Sequence, residues 1–238
     1  MTHAQERERE RERENVSIYN FSKSFEYENG FYLTSMPYRL GNIMAHYELY
    51  KRIINLPGDI LEFGVFKGSS FIQFCTFREL LENENSRKII GFDTFSSFPL
   101  TSHFESDKDF IDKWNSGFAD SFLSRDDLFM SLAKKGIGNF DLIEGNILNT
   151  LDEYLSKFPH TRISLLHIDT DVYEPAKYIL QKCYTRVISG GIIIFDDYGT
   201  IEGETCAVDE FFADKKFTLK KFPFSHSKPS YIIKDHVS

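Results

Sequence analysis

From residue 57 onward, short apolar runs that favour strands alternate with longer segments that favour helices. The predicted strands are 59–65, 88–94, 141–144, 163–170 and 190–198, and the predicted helices are 69–83, 126–135, 151–157 and 175–188. The fourth and fifth strands are almost entirely apolar, which indicates a parallel sheet covered on both faces. This alternation predicts a doubly wound α/β domain.

The C-terminal part departs from the alternation. Residues 217–224 and 231–234 favour two strands joined by a turn, with no helix between them. We therefore expect an antiparallel hairpin at one edge of a mostly parallel, seven-stranded sheet. Within the domain, residues 99–124 show no clear periodicity and are expected to include a loop over the site.

The N-terminal part also differs from the rest. Residues 6–14 alternate Glu and Arg without an apolar residue, which predicts a charged, disordered arm over residues 1–15. Residues 16–56, with a helix predicted at 39–54, are expected to form a helical lid segment across the mouth of the domain at 57–238.

Charge and cysteine usage limit the possible partners and the compartment. The chain has 36 acidic against 28 basic residues and a net charge of −8, so we do not expect it to bind nucleic acid. No apolar run approaches the roughly 18 residues of a membrane helix, and the N-terminus lacks the apolar core of a secretory signal. Cys75, Cys183 and Cys206 form no CxxC pair, which disfavours disulfides or a cysteine zinc site. We expect a cytoplasmic protein without a membrane partner.

Every predicted parallel strand ends in an acidic residue. The residues are Glu62, Asp93, Glu144, Asp169 with Asp171, and Asp196 with Asp197. In open α/β sheets, ligands bind outside the carboxyl ends of the strands, where the strand order reverses. One such acid often only caps the following helix, but five in succession predict a functional site.

The loop after the first strand favours close approach of a ligand to the backbone. Gly64 and Gly68 lie in it, and Ser69 and Ser70 would open the next helix. Neither GxGxxG nor GxxxxGK[ST] is present, so the ligand is not expected to be held by its phosphates. Asp93 lies 31 residues beyond Glu62, where a carboxylate binds ribose hydroxyls. S-adenosylmethionine, with a sulfonium, an amino group and a ribose, suits this acidic lining, although a glycine after a strand can also mark only a tight turn.

A second constellation indicates a cation site. His167, Asp169 and Asp171 are spaced i, i+2, i+4 and would share one face of the fourth strand, beside Asp196 and Asp197 on the fifth. Four neighbouring carboxylates repel one another unless a cation neutralises them, and oxygen ligands suit Mg²⁺, with Ca²⁺ or Mn²⁺ as alternatives. The other interpretation is that these acids only cap a turn and a helix. For His167 a buried core histidine is favoured over a ligand or proton shuttle.

Five motifs occur in a fixed order along the chain. They are Glu62-x-Gly64-Val65-x-x-Gly68, Phe92-Asp93-Thr94-Phe95-x-x-Phe98-Pro99, Asp169-x-Asp171-x-Tyr173-Glu174-Pro175, Gly190-Gly191-x-Ile193-x-x-Asp196-Asp197-Tyr198-Gly199 and Ala207-Val208-Asp209-Glu210-Phe211. In this order and spacing they resemble the macrocin O-methyltransferase (TylF) family of sugar-modifying enzymes, over residues 32–224. Two stretches depart from the family pattern: Lys67-Gly68-Ser69 replaces the commoner Arg-Gly-Gly, and Tyr173-Glu174-Pro175-Ala176 replaces Tyr-Glu-Ser-Thr.

The resemblance implies a class I methyltransferase that uses S-adenosylmethionine and Mg²⁺. It implies metal ligation by Asp169, Asp196 and Asp197, and catalysis by Asp171 as the general base together with Asp169. The cofactor contacts that it implies, taken with the glycine loop, are Glu62, Gly64, Gly68, Ser69, Ser70, Asp93 and Asn146, the last near the adenine.

The expected reaction is methylation of a hydroxyl on a sugar or a sugar-bearing small molecule. A metal-bound hydroxyl has a lowered pKa, and Asp171 would remove its proton. Three alternatives stay open: an O-methyltransferase acting on a catechol-like hydroxyl, a non-catalytic protein that binds the cofactor or a nucleotide sugar, and a metal-dependent hydrolase or phosphotransferase. The aromatic-rich residues 21–50 could cover the site or mediate a homo-oligomer.

Overall fold

A seven-stranded sheet forms the centre of the molecule. The computed structural model describes residues 19–100, 104–118, 122–225 and 228–235. Its strands are β1 (Asp59–Phe63), β2 (Ile89–Asp93), β3 (Phe140–Glu144), β4 (Ile163–Ile168), β5 (Val187–Phe195), β6 (Lys220–Lys221) and β7 (Ser230–Ile233). Their spatial order is β3-β2-β1-β4-β5-β7-β6. The first five are parallel, while β7 pairs antiparallel with β5 and with β6.

The strand order reverses between β1 and β4, which lie side by side at the centre of the sheet. Connections to β2 and β3 run outward in one direction, and those to β5 and the hairpin run in the other. This confirms the doubly wound, mostly parallel α/β fold with an antiparallel C-terminal hairpin. The reversal opens a crevice at the carboxyl ends of β1 and β4.

Helices cover both faces of the sheet. The α-helices of the described residues are α1 (Ser24–Thr34), α2 (Pro37–Ile53), α3 (Ser69–Leu81), α4 (Glu105–Phe118), α5 (Arg125–Lys134), α6 (Ile147–Lys157), α7 (Tyr173–Cys183) and α8 (Glu202–Phe212). Apolar side chains of α2, α3 and α5 form one core cluster with the sheet, and those of α6, α7 and α8 form another on the opposite face. All six residues of β4 are buried, as a parallel strand between two helical layers requires.

Several predicted boundaries were wrong. The fourth strand ends at Ile168 and not at residue 170. The fifth runs over Val187–Phe195 and not 190–198, because a register shift against β4 lets it begin before Gly190. The helix predicted at 175–188 therefore ends at Cys183, and the strand predicted at 217–224 is only Lys220–Lys221.

Three helices were missed. Residues 99–124 contain α4, and α1 and α8 also fall outside the predicted helices. Residues 99–100 and 122–124 on either side of α4 are irregular, so the expected loop over the site stays a prediction. The predicted arm over residues 1–15 lies outside the described residues. Helix α2 packs into the core cluster beside α3, so the lid role of residues 16–56 stays a prediction. Within the described ranges, no helix combines the length and the apolar character needed to cross a membrane.

Candidate active site

A cavity of about 320 Å³ opens at the carboxyl ends of the parallel strands. This volume is within the range of roughly 300–1,000 Å³ typical of small-molecule sites. Residues that follow each of the five parallel strands line it: Gly64, Asp93, Asn146, Asp169, Asp171, Asp196 and Asp197. The structure thus brings seven of the sequence-predicted site residues to one cavity.

Gly64 lets the loop after β1 pack against the end of β4. Its φ is +91°, and a Cβ there would lie 1.7 Å from the carbonyl oxygen of Asp169. The loop is held on both sides, since the Gly64 N–H donates to the Phe92 carbonyl (2.9 Å) and the Asp169 N–H donates to the Phe63 carbonyl (2.8 Å). The close approach that this glycine permits is therefore first of all to the neighbouring chain segment.

Asp93 fixes the same loop from the end of β2. Its Oδ2 accepts hydrogen bonds from the N–H groups of Val65 (2.7 Å) and Phe66 (2.8 Å), and its Oδ1 accepts one from Phe95 (2.6 Å). Phe66 and Phe95 both have positive φ, near +50°, a strained conformation that the carboxylate stabilises. Burial raises the pKa of Asp93, and these backbone donors oppose the rise.

Asn146 serves both the fold and the cavity. Its side-chain oxygen accepts a hydrogen bond from the Leu148 N–H (3.0 Å) and so caps α6. It also lines the cavity beside Asp93. Glu144, at the end of β3, is exposed and does not belong to the cavity lining.

Four predicted cofactor residues are not among those that line the cavity: Glu62, Gly68, Ser69 and Ser70. Glu62 is fully buried, and its Oε1 accepts a hydrogen bond from the Ser70 hydroxyl at 2.5 Å. Strand alternation turns this carboxylate toward the layer of α2 and α3. Gly68 precedes α3 with φ +78°. These residues adjoin the loop that borders the cavity, and their contact with a cofactor stays a prediction.

The carboxylates after β4 and β5 converge. One oxygen from each of Asp169, Asp171 and Asp197 lies within 4.8 Å of the others. Because β4 ends at Ile168, strand alternation does not place Asp171, contrary to the predicted i, i+2, i+4 face; a turn with φ +60° at Asp171 does. Asp196, a predicted ligand, lies outside this converging group but lines the same cavity.

The electrostatics of this acidic cluster fit a cation. Burial, and next the charge of Asp196, raise the pKa of Asp169 well above its ordinary value. Burial and then the charge of Asp197 do the same for Asp171. Carboxyls shifted in this way lack sufficient positive charge nearby, and a divalent ion bound by their oxygens would lower the pKa values again.

Asp196 behaves differently because it faces His167. The two side chains approach to 3.8 Å, from His167 Nε2 to Asp196 Oδ1. Burial would raise the pKa of Asp196, but its interactions with His167 lower it to about 2. His167 is fully buried, as expected for a core histidine. Burial would lower its pKa, but its interactions with Asp196 and Glu62 hold it well above the usual value.

Two charged residues of the site were missed in the sequence. Lys228 places its Nζ against Asp197 and 3.8 Å from Asp196 Oδ2. Glu204, buried on α8, accepts a hydrogen bond from the Asp197 N–H at 3.0 Å. A signal for Lys228 was available: the residue before β7 must lie near the end of β5 if the two strands pair antiparallel.

Aromatic side chains that contact one another form an apolar wall of the cavity. They are Phe66, Phe98, Phe110, Trp114 and Phe122, and Trp114 lies 5.4 Å from Phe66 and 5.9 Å from Phe98 between ring centroids. Asn115 holds the loop after β2 on α4 through bonds to the Phe98 N–H (2.9 Å) and carbonyl (3.2 Å). The lining of the cavity therefore combines acidic and aromatic side chains.

Comparison with known families identifies the family of the chain. The profile of the macrocin O-methyltransferase (TylF) family matches residues 38–221. The chain belongs to this family. The match spans strands β1 to β6 and every residue that lines the cavity except Lys228, so the acidic cluster and the glycine loop lie inside the shared domain.

Two curated relatives share about a quarter of their aligned residues with this chain. One is demethyldecarbamoylnovobiocin O-methyltransferase from Streptomyces niveus, 26% identical over 180 residues, which cover 70% of this chain and 64% of that protein. The other is mycinamicin III 3''-O-methyltransferase from Micromonospora griseorubida, 26% identical over 60% of this chain and 56% of that protein. The match thus spans less than two thirds of the length of either relative.

Solved structures have the same fold. The O-methyltransferase NovP superposes with a TM-score of 0.71 at 22% identity, covering 82% of this chain and 80% of that one. The TDP-rhamnose 3'-O-methyltransferase of calicheamicin biosynthesis superposes with a TM-score of 0.64 at 26% identity, covering 88% and 86%. These similarities confirm the class I methyltransferase fold.

Proposed function

We propose that this chain transfers a methyl group from S-adenosylmethionine to a hydroxyl of a sugar or sugar-bearing small molecule, with the help of a divalent cation. The observation that carries the proposal is a single cavity that joins two kinds of lining. Gly64, Asp93 and Asn146 belong to this lining, and so do the four aspartates 169, 171, 196 and 197. Membership in a family of O-methyltransferases supports the reaction class, and two relatives named for sugar or antibiotic substrates support the acceptor class.

The cofactor side is built to hold a cationic nucleoside. Asp93 is fixed by three backbone donors and borders the cavity, where a carboxylate can accept ribose hydroxyls. Asn146 borders the adenine end in this proposal. Asp169 lies against Gly64, so negative charge is available near the expected sulfonium and amino groups.

The acidic cluster fits a hard divalent cation such as Mg²⁺. Asp169 and Asp197 belong to the converging oxygens, and with Asp196 they are the proposed ligands. All three are carboxylates, the donor type that Mg²⁺, Mn²⁺ and Ca²⁺ prefer. When bound, the ion would lower the pKa of an acceptor hydroxyl.

The remaining chemistry belongs to the protein. Asp171 shares the cluster and the cavity lining, and we assign it the role of general base that takes the hydroxyl proton. Because the proposed cofactor residues and the acidic cluster line one cavity, the strand ends would hold cofactor and acceptor close together, which favours attack of the hydroxyl oxygen on the methyl carbon as the carbon–sulfur bond breaks. The aromatic wall excludes water from a step in which opposite charges annihilate.

A catechol-like acceptor is the second candidate. The aromatic wall of the cavity favours it, because rings such as Phe66 and Trp114 pack well against a planar ring. The same wall can pack against the apolar face of a sugar. An acceptor screen that contains both classes separates the two candidates.

The first test is calorimetric titration of S-adenosylmethionine and its demethylated product into the full chain, with and without Mg²⁺. We expect micromolar binding of both ligands, with the product at least as tight. Acceptors are then screened with methyl-labelled cofactor, and EDTA-treated protein provides the control for the cation. No heat from folded protein would overturn the methyltransferase proposal, and full activity after EDTA treatment would overturn the cation requirement.

A further inference from the structure

A second group of metal-ligating side chains lies behind the acidic cluster, inside the protein. One donor atom from each of His46, His167 and Asp196 lies within 4.8 Å of the others. The three side chains are 2%, 0% and 7% exposed. They come from α2, β4 and the end of β5, and they border the fully buried Glu62 of β1.

The polar atoms of this group have no hydrogen-bond partner among the described residues. They are His46 Nε2, both ring nitrogens of His167, Asp196 Oδ1 and Glu62 Oε2. Leaving a buried polar atom unpaired costs about 1–3 kcal/mol, and native proteins contain few of them. Five in one place indicate a site for something that satisfies them together.

The other atoms of the same side chains are held as in a metal site. His46 Nδ1 lies 2.9 Å from the Gln73 Oε1, an arrangement in which Nδ1 carries the proton and Nε2 presents its lone pair inward. His167 Nδ1 faces Glu62 Oε1 at 3.8 Å, and that oxygen accepts the Ser70 hydroxyl. Ligating histidines typically have a hydrogen-bond partner on the second nitrogen, which fixes the ring and raises its basicity. His46 has this partner in Gln73, whereas His167 Nδ1 faces only the more distant Glu62 carboxylate.

The fold aims these groups at one point. Glu62 and His167 are register partners on the central strands β1 and β4, so both project to the face covered by α2 and α3. His46 projects from α2 on that face, 5.2 Å from His167 between ring centroids. Phe74 packs against both rings, at 5.1 Å and 5.6 Å, and closes the far side with an apolar wall.

We infer that His46, His167 and Asp196 form a second metal site, which takes a divalent transition ion such as Zn²⁺. Two imidazole nitrogens and one carboxylate suit such an ion, whereas the neighbouring all-carboxylate cluster suits Mg²⁺. Asp196 links the two sites: its Oδ1 faces His167 and its Oδ2 faces the cavity near Lys228. The inference does not depend on methyl transfer.

Cobalt is the probe that distinguishes the two sites. Co²⁺ bound to imidazole nitrogen absorbs visible light with an intensity that reports its geometry, and the full chain would be titrated with Co²⁺ in excess Mg²⁺, with metal content measured in parallel. We expect one cobalt ion per chain, displaced by Zn²⁺. The variant His46→Gln should weaken Co²⁺ binding by at least about 10-fold, and Gln73→Ala, which removes only the partner of His46, by roughly 10-fold.

Matched variants keep the result interpretable. His160→Gln changes an exposed histidine and should leave the cobalt spectrum unchanged, as should Asp171→Asn in the acidic cluster. If His46→Gln does not fold, Gln73→Ala carries the test. Absence of bound cobalt in folded protein, or a cobalt signal that survives both His46→Gln and Gln73→Ala, would overturn the inference; in the first case water or a proton satisfies these atoms.

Discussion

The two halves of the sheet edge that borders the cavity treat their carboxylates in opposite ways. On the β2 side, Asp93 gives its oxygens to three backbone N–H groups of neighbouring loops. On the β4 and β5 side, Asp169, Asp171 and Asp197 turn their oxygens toward one another. The Asp93 carboxylate stabilises the conformation of the neighbouring loops, whereas the other three carboxylates repel one another until a cation binds.

This difference distinguishes a carboxylate with a structural role from carboxylates with a proposed catalytic or metal-binding role. A strand-end acid that accepts several backbone hydrogen bonds holds a loop in place, and its effect should appear in stability and in cofactor affinity. A strand-end acid that faces other acids is costly to the fold, which favours a functional role. Substitutions on the two sides should therefore differ in which measurement they change.

The largest effect is expected at the point where the two halves touch. Gly64→Ala would place a Cβ 1.7 Å from the Asp169 carbonyl oxygen, at φ +91°. We expect the free energy of unfolding to fall by more than about 3 kcal/mol, measured by urea denaturation. Gly136→Ala is the matched control, because its φ is also positive (+71°) but a Cβ there has no neighbour within 4 Å; it should cost only about 1–2 kcal/mol. Equal costs would show that the contact with Asp169 does not matter.

Next in size is the loss of the proposed base. Asp171→Asn should reduce turnover about 100-fold or more and leave the affinity for S-adenosylmethionine unchanged. Glu144→Gln is the control, since this strand-end acid is exposed and is not among the residues that line the cavity. Turnover by Asp171→Asn close to that of the unchanged chain would contradict the assignment.

The sequence predicted the sheet better than the site, for a physical reason. Strand β4 is apolar at nearly every position, and that local signal identifies a buried parallel strand without knowledge of its neighbours. Asp171 reaches the cluster through a turn of positive φ after β4, and Lys228 reaches it because β7 pairs with β5. The first placement depends on the backbone conformation of a local turn and the second on the pairing of strands distant in sequence, and periodicity reports neither.

Two of the missed helices also lack a simple local signal in the sequence. The buried side of α8 includes Gly203 and the carboxylate of Glu204, so its apolar stripe is interrupted. Helix α4 does carry a helical pattern, with Asp107, Ile111 and Trp114 facing inward, but the stripe begins with a buried acid. Asp107 is buried because it caps α7, where its Oδ2 accepts the Tyr173 N–H at 2.7 Å.

The raised pKa values in the acidic cluster should make the stability of the chain, and its stabilisation by divalent cations, depend on pH. The pKa values of Asp169, Asp171 and Glu204 are raised, first by burial and then by neighbouring carboxylates. Their contribution to stability is therefore present below the ordinary carboxyl pKa of about 4 and is lost as the pH rises through the raised values. Asp196 acts in the opposite sense, because its pKa is lowered to about 2 and its contribution is lost only as the pH falls toward that value.

Without metal, we expect the melting temperature to be lower near pH 8 than near pH 5, by the linkage just described. Mg²⁺ at about 100 times its Kd should add about 2.7 kcal/mol near pH 8, and Asp197→Asn should abolish that gain. The measurement is thermal unfolding at both pH values with and without Mg²⁺. A gain from Mg²⁺ that survives in Asp197→Asn would place the ion elsewhere.

On the other side of the edge, Asp93→Asn should show the scaffold behaviour. An amide replaces one of the two accepting oxygens and opposes an N–H donor, which costs about 1–3 kcal/mol. We expect about 10-fold weaker binding of S-adenosylmethionine by calorimetry, with turnover at saturation changed little. The control is Asp141→Asn, which alters a partly exposed ion pair between Asp141 on β3 and Lys88. If Asp93→Asn lowered turnover at saturating substrate as much as Asp171→Asn does, the proposed difference between the β2 side and the β4 and β5 side would be wrong.

The smallest effect is expected where a basic residue already offsets the acids. The Lys228 ammonium lies against Asp197 and 3.8 Å from Asp196, where it repels an incoming cation. At about 6 Å the repulsion of a divalent ion is worth about 1.4 kcal/mol in water, and salt reduces it, so Lys228→Met should raise Mg²⁺ affinity about fivefold in a calorimetric titration. Lys182→Met, which removes an exposed partner of Asp152, should leave it unchanged. Weaker Mg²⁺ binding in Lys228→Met would mean that the lysine holds the carboxylates in the arrangement that binds the cation. The acidic side chains would then be positioned by a basic partner, much as the Asp93 carboxylate is positioned by its backbone donors.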